Sequence, residues 1–331
     1  MPPLPTMKQK PDIWYWLKVL VVVLAWAYVI YSLSVAPDVS NVFAVLKNIG
    51  LFDYLLLFIV VLLIPVNWGF EAIKWKILLR PLHTRSLSHC FADVLRGITA
   101  GMATPNRLGE FAGRIVNLPA EKRAEAGVLS LTGSFSQLFV TLLVGAFAFV
   151  GLMIYIPSGQ STFSVSDYTI LSVSVVLMGI LLWLFTHTQK LSKWVNKIPF
   201  VKNTQKVSGG IENLSGPVGL SVMLLSLARY AVFLHQYYFL LMIFRVDVSY
   251  PEAVLAIGAI YLLMAIIPVV AAGEPGVRGS VSMLVFGLFV AQPATVFSVS
   301  LLLWLLNVAI PAIIGSTMML LRNRNNVPFT P

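Results

Sequence analysis

In 331 residues, a hydrophobic share of 58%, a charged share of only 11% and a mean hydropathy of +0.86 leave too little polar surface to cover a water-soluble globule, so the chain belongs in a bilayer. The net charge of +10 has no soluble domain to carry a nucleic-acid site, so no nucleic-acid partner is expected and the charge reads as the sidedness of a membrane protein. Cys90 is the single cysteine, which rules out an intrachain disulfide and a thiolate metal cluster.

The first apolar stretch runs from Ile13 to Val35 behind Lys8 and Lys10. Ser34-Val35-Ala36 faintly resembles a signal-peptidase site, but the stretch is long, contains Lys18, and opens with Trp14, Tyr15 and Trp16, which suit the aromatic belt of a retained helix. Further apolar runs predict helices near 51–79, 124–156, 168–187, 217–244 and 294–321. Each is long enough, at about 20 residues or more, to cross a hydrocarbon core with some tilt. None shows the short alternation of an outer-membrane barrel strand.

Two regions break this pattern. Residues 87–118 and 250–291 each read as a pair of shorter helices joined at a break, Thr104-Pro105-Asn106-Arg107-Leu108-Gly109-Glu110 in one and Gly273-Glu274-Pro275-Gly276-Val277-Arg278 in the other. Between Gln189 and Asn213, Leu191, Trp194, Val195 and Ile198 recur at helical spacing with Lys190, Lys193 and Lys197 on other faces. That segment reads either as an interfacial helix on an anionic membrane surface or as an ordinary basic cytoplasmic loop.

Short loops set the topology, because Lys and Arg accumulate on the cytoplasmic side. One set of connections holds Lys8 and Lys10, then Lys74, Lys76, Arg80 and Arg85, then Lys122 and Arg123, then five lysines from Lys190 to Lys206, then Arg322 and Arg324. The opposite set offers only Lys47 and Arg245. Both termini are therefore expected in the cytoplasm of a bacterial-type inner membrane, with the Ser/Thr-rich loop from Pro157 to Asp167 outside. The expected fold is an all-α polytopic membrane protein, with about six full transmembrane helices plus two broken or re-entrant hairpins in an inverted repeat. It forms one transmembrane domain over 1–331: an N-terminal helix and loop 1–50, repeat A 51–156 with hairpin 87–118, a linking helix and basic segment 157–216, repeat B 217–321 with hairpin 250–291, and a tail 322–331.

Charges inside apolar helices mark candidate sites, since each is expensive to insert. Arg107, Glu110 and Arg114 are spaced three and four apart, on one face of a helix expected to start after Pro105, where free N–H groups and two guanidiniums suit a phosphate. Glu110 can pair with either arginine or grip a cationic headgroup. Glu274 and Arg278 repeat the arrangement around Pro275 and Gly276, and Gly276 and Gly279 permit close backbone approach. Either set alone also reads as an internal salt bridge that lets broken helices pack, a reading weakened by two such pairs at matching places. Arg229 lies about twelve residues into helix 217–244, deep enough to be costly, near Tyr230 and His235. Asp93 and Arg96, three apart, can pair; Glu71 and Lys74 sit near a cytoplasmic helix end, where snorkelling accounts for them. His83, His89, His187 and His235 have no metal-ligand spacing, so neither metal nor cofactor is expected.

The run from Asn67-Trp68-Gly69-Phe70-Glu71 to Leu79, the element Pro105-Asn106-Arg107-Leu108-Gly109-Glu110 with Arg114, and Gly276-Val277-Arg278 after a Pro/Gly break together resemble the flippase-like transmembrane region of lysylphosphatidylglycerol synthases. The resemblance covers nearly the whole chain and implies movement of a lipid or lipid-linked headgroup across the membrane. Asn106, Gly109 and Gly276 join the charged residues as substrate-binding candidates on its strength. The family's second break reads Gly-Gly-Leu-Gly-Val-x-Glu; here Glu274 and Pro275 replace its middle and Gly279 stands at the terminal acid. No soluble aminoacyl-transfer domain is recognisable, so the cargo stays open.

The function expected is therefore a lipid translocase whose Arg107, Arg114 and Arg278 hold a phosphate, with a phospholipid or lipid-linked substrate as its partner. The sequence leaves open two alternatives, a membrane-embedded enzyme acting on a lipid headgroup and a non-catalytic scaffold of a lipid or cell-envelope synthase. It also leaves room for a homo-oligomer or a lipid-synthase partner.

Overall fold

The computed structural model describes residues 50–104, 107–155, 217–267 and 274–321, together with Val23, Ser172 and Val176. The helices expected at 13–35 and 168–187, the basic segment 189–213 and the tail lie outside the described residues. Among the described residues the secondary structure is helical, without strands.

Helix α1 spans Leu51–Leu79, as its apolar run predicts. Asp53 in its first turn accepts from Gly50 N at 2.9 Å, satisfying one of the free N–H groups of the helix start. Helices α2 (Leu87–Met102) and α3 (Gly109–Ile115) form the first hairpin. At 1.5 Å per residue their arms are about 24 Å and about 10 Å long, so neither crosses by itself. Helix α4 (Ala120–Tyr155) begins four residues earlier than its apolar run, directly after Pro119. Lys122 and Arg123 are thus inside a helix rather than in a loop, because a charged first turn is stable in water. Arg123 folds back to donate to Leu118 O at 2.9 Å and Val116 O at 3.1 Å, carbonyls just past the end of α3.

Helix α5 covers Pro217–Ile243 and ends in a Schellman turn, with Arg245 at φ 58°, Arg245 N donating to Met242 O and Val246 N to Leu241 O. Helices α6 (Tyr250–Ile266) and α7 (Glu274–Phe286) form the second hairpin. The last expected helix is interrupted: α8 (Pro293–Trp304) passes through a π-helical segment, Leu305–Ala309, into α9 (Ile310–Leu321). Four stretches are long and apolar enough to cross a membrane, Leu51–Leu79, Ala120–Met153, Pro217–Ile243 and Pro293–Leu320.

Lipid tails are as apolar as leucine, so helices in a bilayer associate through close packing and interhelical hydrogen bonds. Glycines do this in both hairpins. Gly97 and Gly101 on α2 face Gly109 and Gly113 on α3, and a Cβ on Gly113 would fall 2.5 Å from Arg96 O. Helices α4 and α6 meet through Gly145, Ala148 and Gly258, where a Cβ on Gly258 would lie 2.3 Å from that of Ala148. One apolar core gathers α1, α2, α8 and α9 around Trp75, Ile98, Trp304 and Ala312. A second gathers α5 to α8 around Tyr237, Leu240, Ile260 and Phe286. Each hairpin thus packs into its own core.

Candidate functional site

The centre of the polar region is Glu71, on α1. It is 1% exposed, as is Lys74, so snorkelling does not account for either. The face of α1 carrying Asn67, Glu71, Lys74, Trp75 and Leu78 is buried in the protein rather than turned to lipid. Glu71 Oε1 accepts from Arg114 Nη1 at 2.7 Å, and Oε2 lies 2.8 Å from Lys74 Nζ and also pairs closely with Arg229 Nη1. One carboxylate therefore holds cations from its own helix, from the first hairpin and from α5. A charge at this depth is tolerable only when paired in this way.

The cations have further partners. Arg229 Nε donates to Asn67 Oδ1 at 3.0 Å, one turn before Glu71, and its guanidinium stands 5.0 Å from the centre of the Trp68 ring. Lys74 Nζ donates to Gly133 O at 3.1 Å and Ser226 Oγ at 3.4 Å, tying α1 to α4 and α5. Gln137 on α4 completes the web, donating to Ser226 O at 3.2 Å and accepting from Arg229 at 3.4 Å.

In the first hairpin, Arg114 is 2% exposed and bridges Glu71 to Glu110, and Arg107 Nε stands 3.8 Å from Glu110 Oε2. The expected phosphate site on a helix N-terminus is not formed. Arg107 precedes the helix in a left-handed conformation at φ 57°, α3 has only seven residues, and Gly109 N is already donated to Thr104 Oγ1 at 2.7 Å. Gly109 is a packing residue instead, since a Cβ there would meet Ala100 O at 2.2 Å. Asn106 lies outside the described residues. Asp93 and Arg96 pair at 3.1 Å as their spacing allows, and Arg85 joins Asp93 at 2.8 Å, forming a separate buried cluster on α2.

In the second hairpin Arg278 Nη2 donates to Glu274 Oε1 at 3.2 Å, one turn away. Ser282 Oγ donates to Arg278 O at 2.7 Å and to Ser300 Oγ at 3.2 Å, fixing α7 on α8. Among the described residues nothing lies within 4 Å of a Cβ at Gly276; Gly279 makes the close approach, since a Cβ would lie 2.3 Å from the Phe297 ring.

These groups converge on a cavity of about 340 Å³. Arg107, Glu110 and Arg114 from the first hairpin and Arg278 from the second line it, with Glu71, Lys74 and Arg229 between them. Glu274 is not among the lining residues; it reaches the site only through Arg278. Among the described residues, five cationic side chains and two carboxylates line the cavity, an excess of three positive charges that the Glu274 pair reduces to two. The Nε atoms of Arg107, Arg114 and Arg278 are buried without a hydrogen-bond partner among the described residues. Such a site can hold an anion. Sequence reasoning missed Glu71 as its centre, although Asn67, Glu71 and Lys74 recur at helical spacing with Trp68 and Trp75. It also missed Asn307, an amide in an otherwise apolar stretch from Leu301 to Gly315, which lines the cavity from the π segment.

Comparison with curated proteins and with solved structures returns no match. The chain does match the family model described as the lysylphosphatidylglycerol synthase TM region over residues 15–315. With most of its length matched and four apolar helices able to cross a bilayer, this multi-pass membrane protein belongs to the lysylphosphatidylglycerol synthase TM-region family.

Proposed function

We propose that the protein is a lipid translocase, which moves the phosphate-bearing headgroup of a phospholipid or lipid-linked substrate between leaflets through the cavity between its two hairpins. The observation that carries this reading is the cationic cavity lined at once by Arg107 and Arg114 of one hairpin and Arg278 of the other. The pattern fits a bundle in which two short-armed hairpins enter as re-entrant elements from opposite sides. In that inverted repeat, 51–156 and 217–321 rock against each other around a shared site, in an inner membrane with both termini cytoplasmic. Four spanning helices and membership of a lipid-synthase membrane family support it. In this reading Glu71 and Glu110 position arginines and take no part in bond making.

The test is reconstitution of the full chain in vesicles carrying fluorescent phospholipid, with loss of outer-leaflet signal to a membrane-impermeant reductant as readout. Arg278→Ala should slow translocation about tenfold or more while leaving the unfolding temperature unchanged, because it removes a charged donor worth about 1.5–3 kcal/mol to a bound anion. Undiminished translocation by a folded Arg278→Ala, Arg107→Ala double variant sinks the assignment of the site. Chemical turnover of a lipid by the purified protein sinks the transport reading in favour of an enzyme.

A further inference from the structure

Resting on the translocase reading, the cavity also carries information about which headgroup it accepts. Its two lining carboxylates are committed. Glu71 is shared by Lys74, Arg114 and Arg229, and Glu110 by Arg107 and Arg114. Among the described residues, an ammonium-bearing headgroup entering the cavity would find no uncommitted acid and an excess of positive charge, so it is opposed electrostatically in a medium that screens poorly.

Uncommitted neutral groups are present, however. Tyr230 on α5 is 4% exposed and lines the cavity, and its hydroxyl has no hydrogen-bond partner among the described residues. Asn307, 2% exposed, lines the cavity from the π segment; its Nδ2 donates to Leu303 O at 3.3 Å, which leaves Oδ1 buried and unpaired. A buried polar atom without a partner is costly, and a π turn within an α-helix is a local defect that recurs at ligand sites. Tyr230 can donate or accept and Asn307 Oδ1 can only accept, the complement of alcohol O–H groups.

We propose that the cavity selects an anionic lipid phosphate whose headgroup carries hydroxyls and no amine. The phosphate is held by the guanidinium groups of Arg107, Arg114 and Arg278, and the polyol by Tyr230 and Asn307. The lysylated lipid named in the family description is thus the disfavoured cargo: its two ammonium groups outweigh its single phosphate and would add positive charge to a site already in excess.

The experiment is competitive lipid binding to the purified full-length chain in detergent, read by native mass spectrometry, with translocation in vesicles measured separately. The probes are phosphatidylglycerol, phosphatidylmethanol, phosphatidylethanolamine and lysylphosphatidylglycerol. Phosphatidylglycerol should be retained at least about tenfold over both amine lipids and severalfold over phosphatidylmethanol, which has the same charge and no hydroxyl. Tyr230→Phe, a conservative change, and Asn307→Leu should each lower phosphatidylglycerol to the level of phosphatidylmethanol while leaving phosphatidylmethanol itself unchanged. Equal or tighter binding of an amine lipid overturns the proposal. Equal binding of phosphatidylmethanol, or variants that do not narrow the gap, overturns the hydroxyl subsite. Displacement by soluble glycerol 3-phosphate at the same concentration as lipid would mean a free-phosphate site. A selective protein that moves no lipid leaves the selectivity standing and removes the translocase; lipid movement with no headgroup preference does the reverse.

Discussion

The two hairpins share a sequence grammar of one Pro, an Arg and a Glu at a break, yet they are wired differently. In the first, Arg114 is 97% buried at its side chain and connects Glu110 to Glu71 on α1, so the hairpin is fixed electrostatically to a spanning helix. In the second, Arg278 and Glu274 are 20% and 14% exposed and, among the described residues, pair with each other alone, so the pair presents one guanidinium to the cavity and stays local. Matching motifs thus produced a strut that also faces the site in one half, and a self-contained clamp in the other. The partner supplied by a neighbouring helix decides between them, and no motif within the hairpin encodes that partner.

The sharpest way to break this comparison is to remove the acid on each side. Glu71→Gln strands Lys74, Arg114 and Arg229 around a neutral amide and should cost about 3–5 kcal/mol in a reversible detergent unfolding titration, the range for breaking a buried pair. Glu274→Gln should cost under about 1 kcal/mol, because its single partner keeps access to the polar cavity. Equal losses would mean that the hairpins are wired alike. The glycines offer a second contrast. Gly113→Ala drives a methyl onto the Arg96 carbonyl and should destabilise by about 1–3 kcal/mol, read as a lowered unfolding temperature.

A smaller effect of opposite sign is expected at Arg107, whose left-handed backbone costs a non-glycine residue about 1–2 kcal/mol. Arg107→Gly should therefore gain about 1 kcal/mol over Arg107→Ala in the same titration while both lose translocation, separating strain from charge. The smallest change belongs to the second hairpin. Gly276→Ala meets open space and should alter stability by under about 1 kcal/mol, in the stabilising direction expected for an alanine at a helix start. A large loss there would point to a role for Gly276 that packing does not explain.

Much of the architecture was legible because a bilayer imposes length and apolarity on every spanning segment. The bounds of α1 and α5 follow from the apolar runs alone, whereas Glu274 to Arg278, expected as the second break, form the first turn of α7. The site was legible only in part. Arg107, Glu110, Arg114, Arg229 and Arg278 stand out as charges in apolar surroundings, and the structure brings them to one cavity. Glu71 did not, because a carboxylate two turns from a helix end has an inexpensive account until the neighbours that bury it are known. The N-terminal anion site expected at α3 failed for a local reason: a threonine hydroxyl takes the first N–H, and seven residues make a weak dipole. Asn307 escaped because the π segment that exposes it to the cavity leaves no signature in composition.

That π segment has a mechanical meaning as well. Upstream of it, α8 is keyed to the second hairpin by Phe297 against Gly279 and by Ser300 to Ser282. Downstream, α9 is keyed to the first, where Ala312 O accepts from Thr99 Oγ1 at 2.7 Å and Gly315 lies against Leu95. The last helix is therefore a shaft geared to both hairpins, and the widened turn sets the phase between its two gears. Closing it to a regular α-turn would rotate one end by roughly 100° relative to the other, the angle of a single residue. Torque on either hairpin would then reach the other through Asn307, at the wall of the cavity they share.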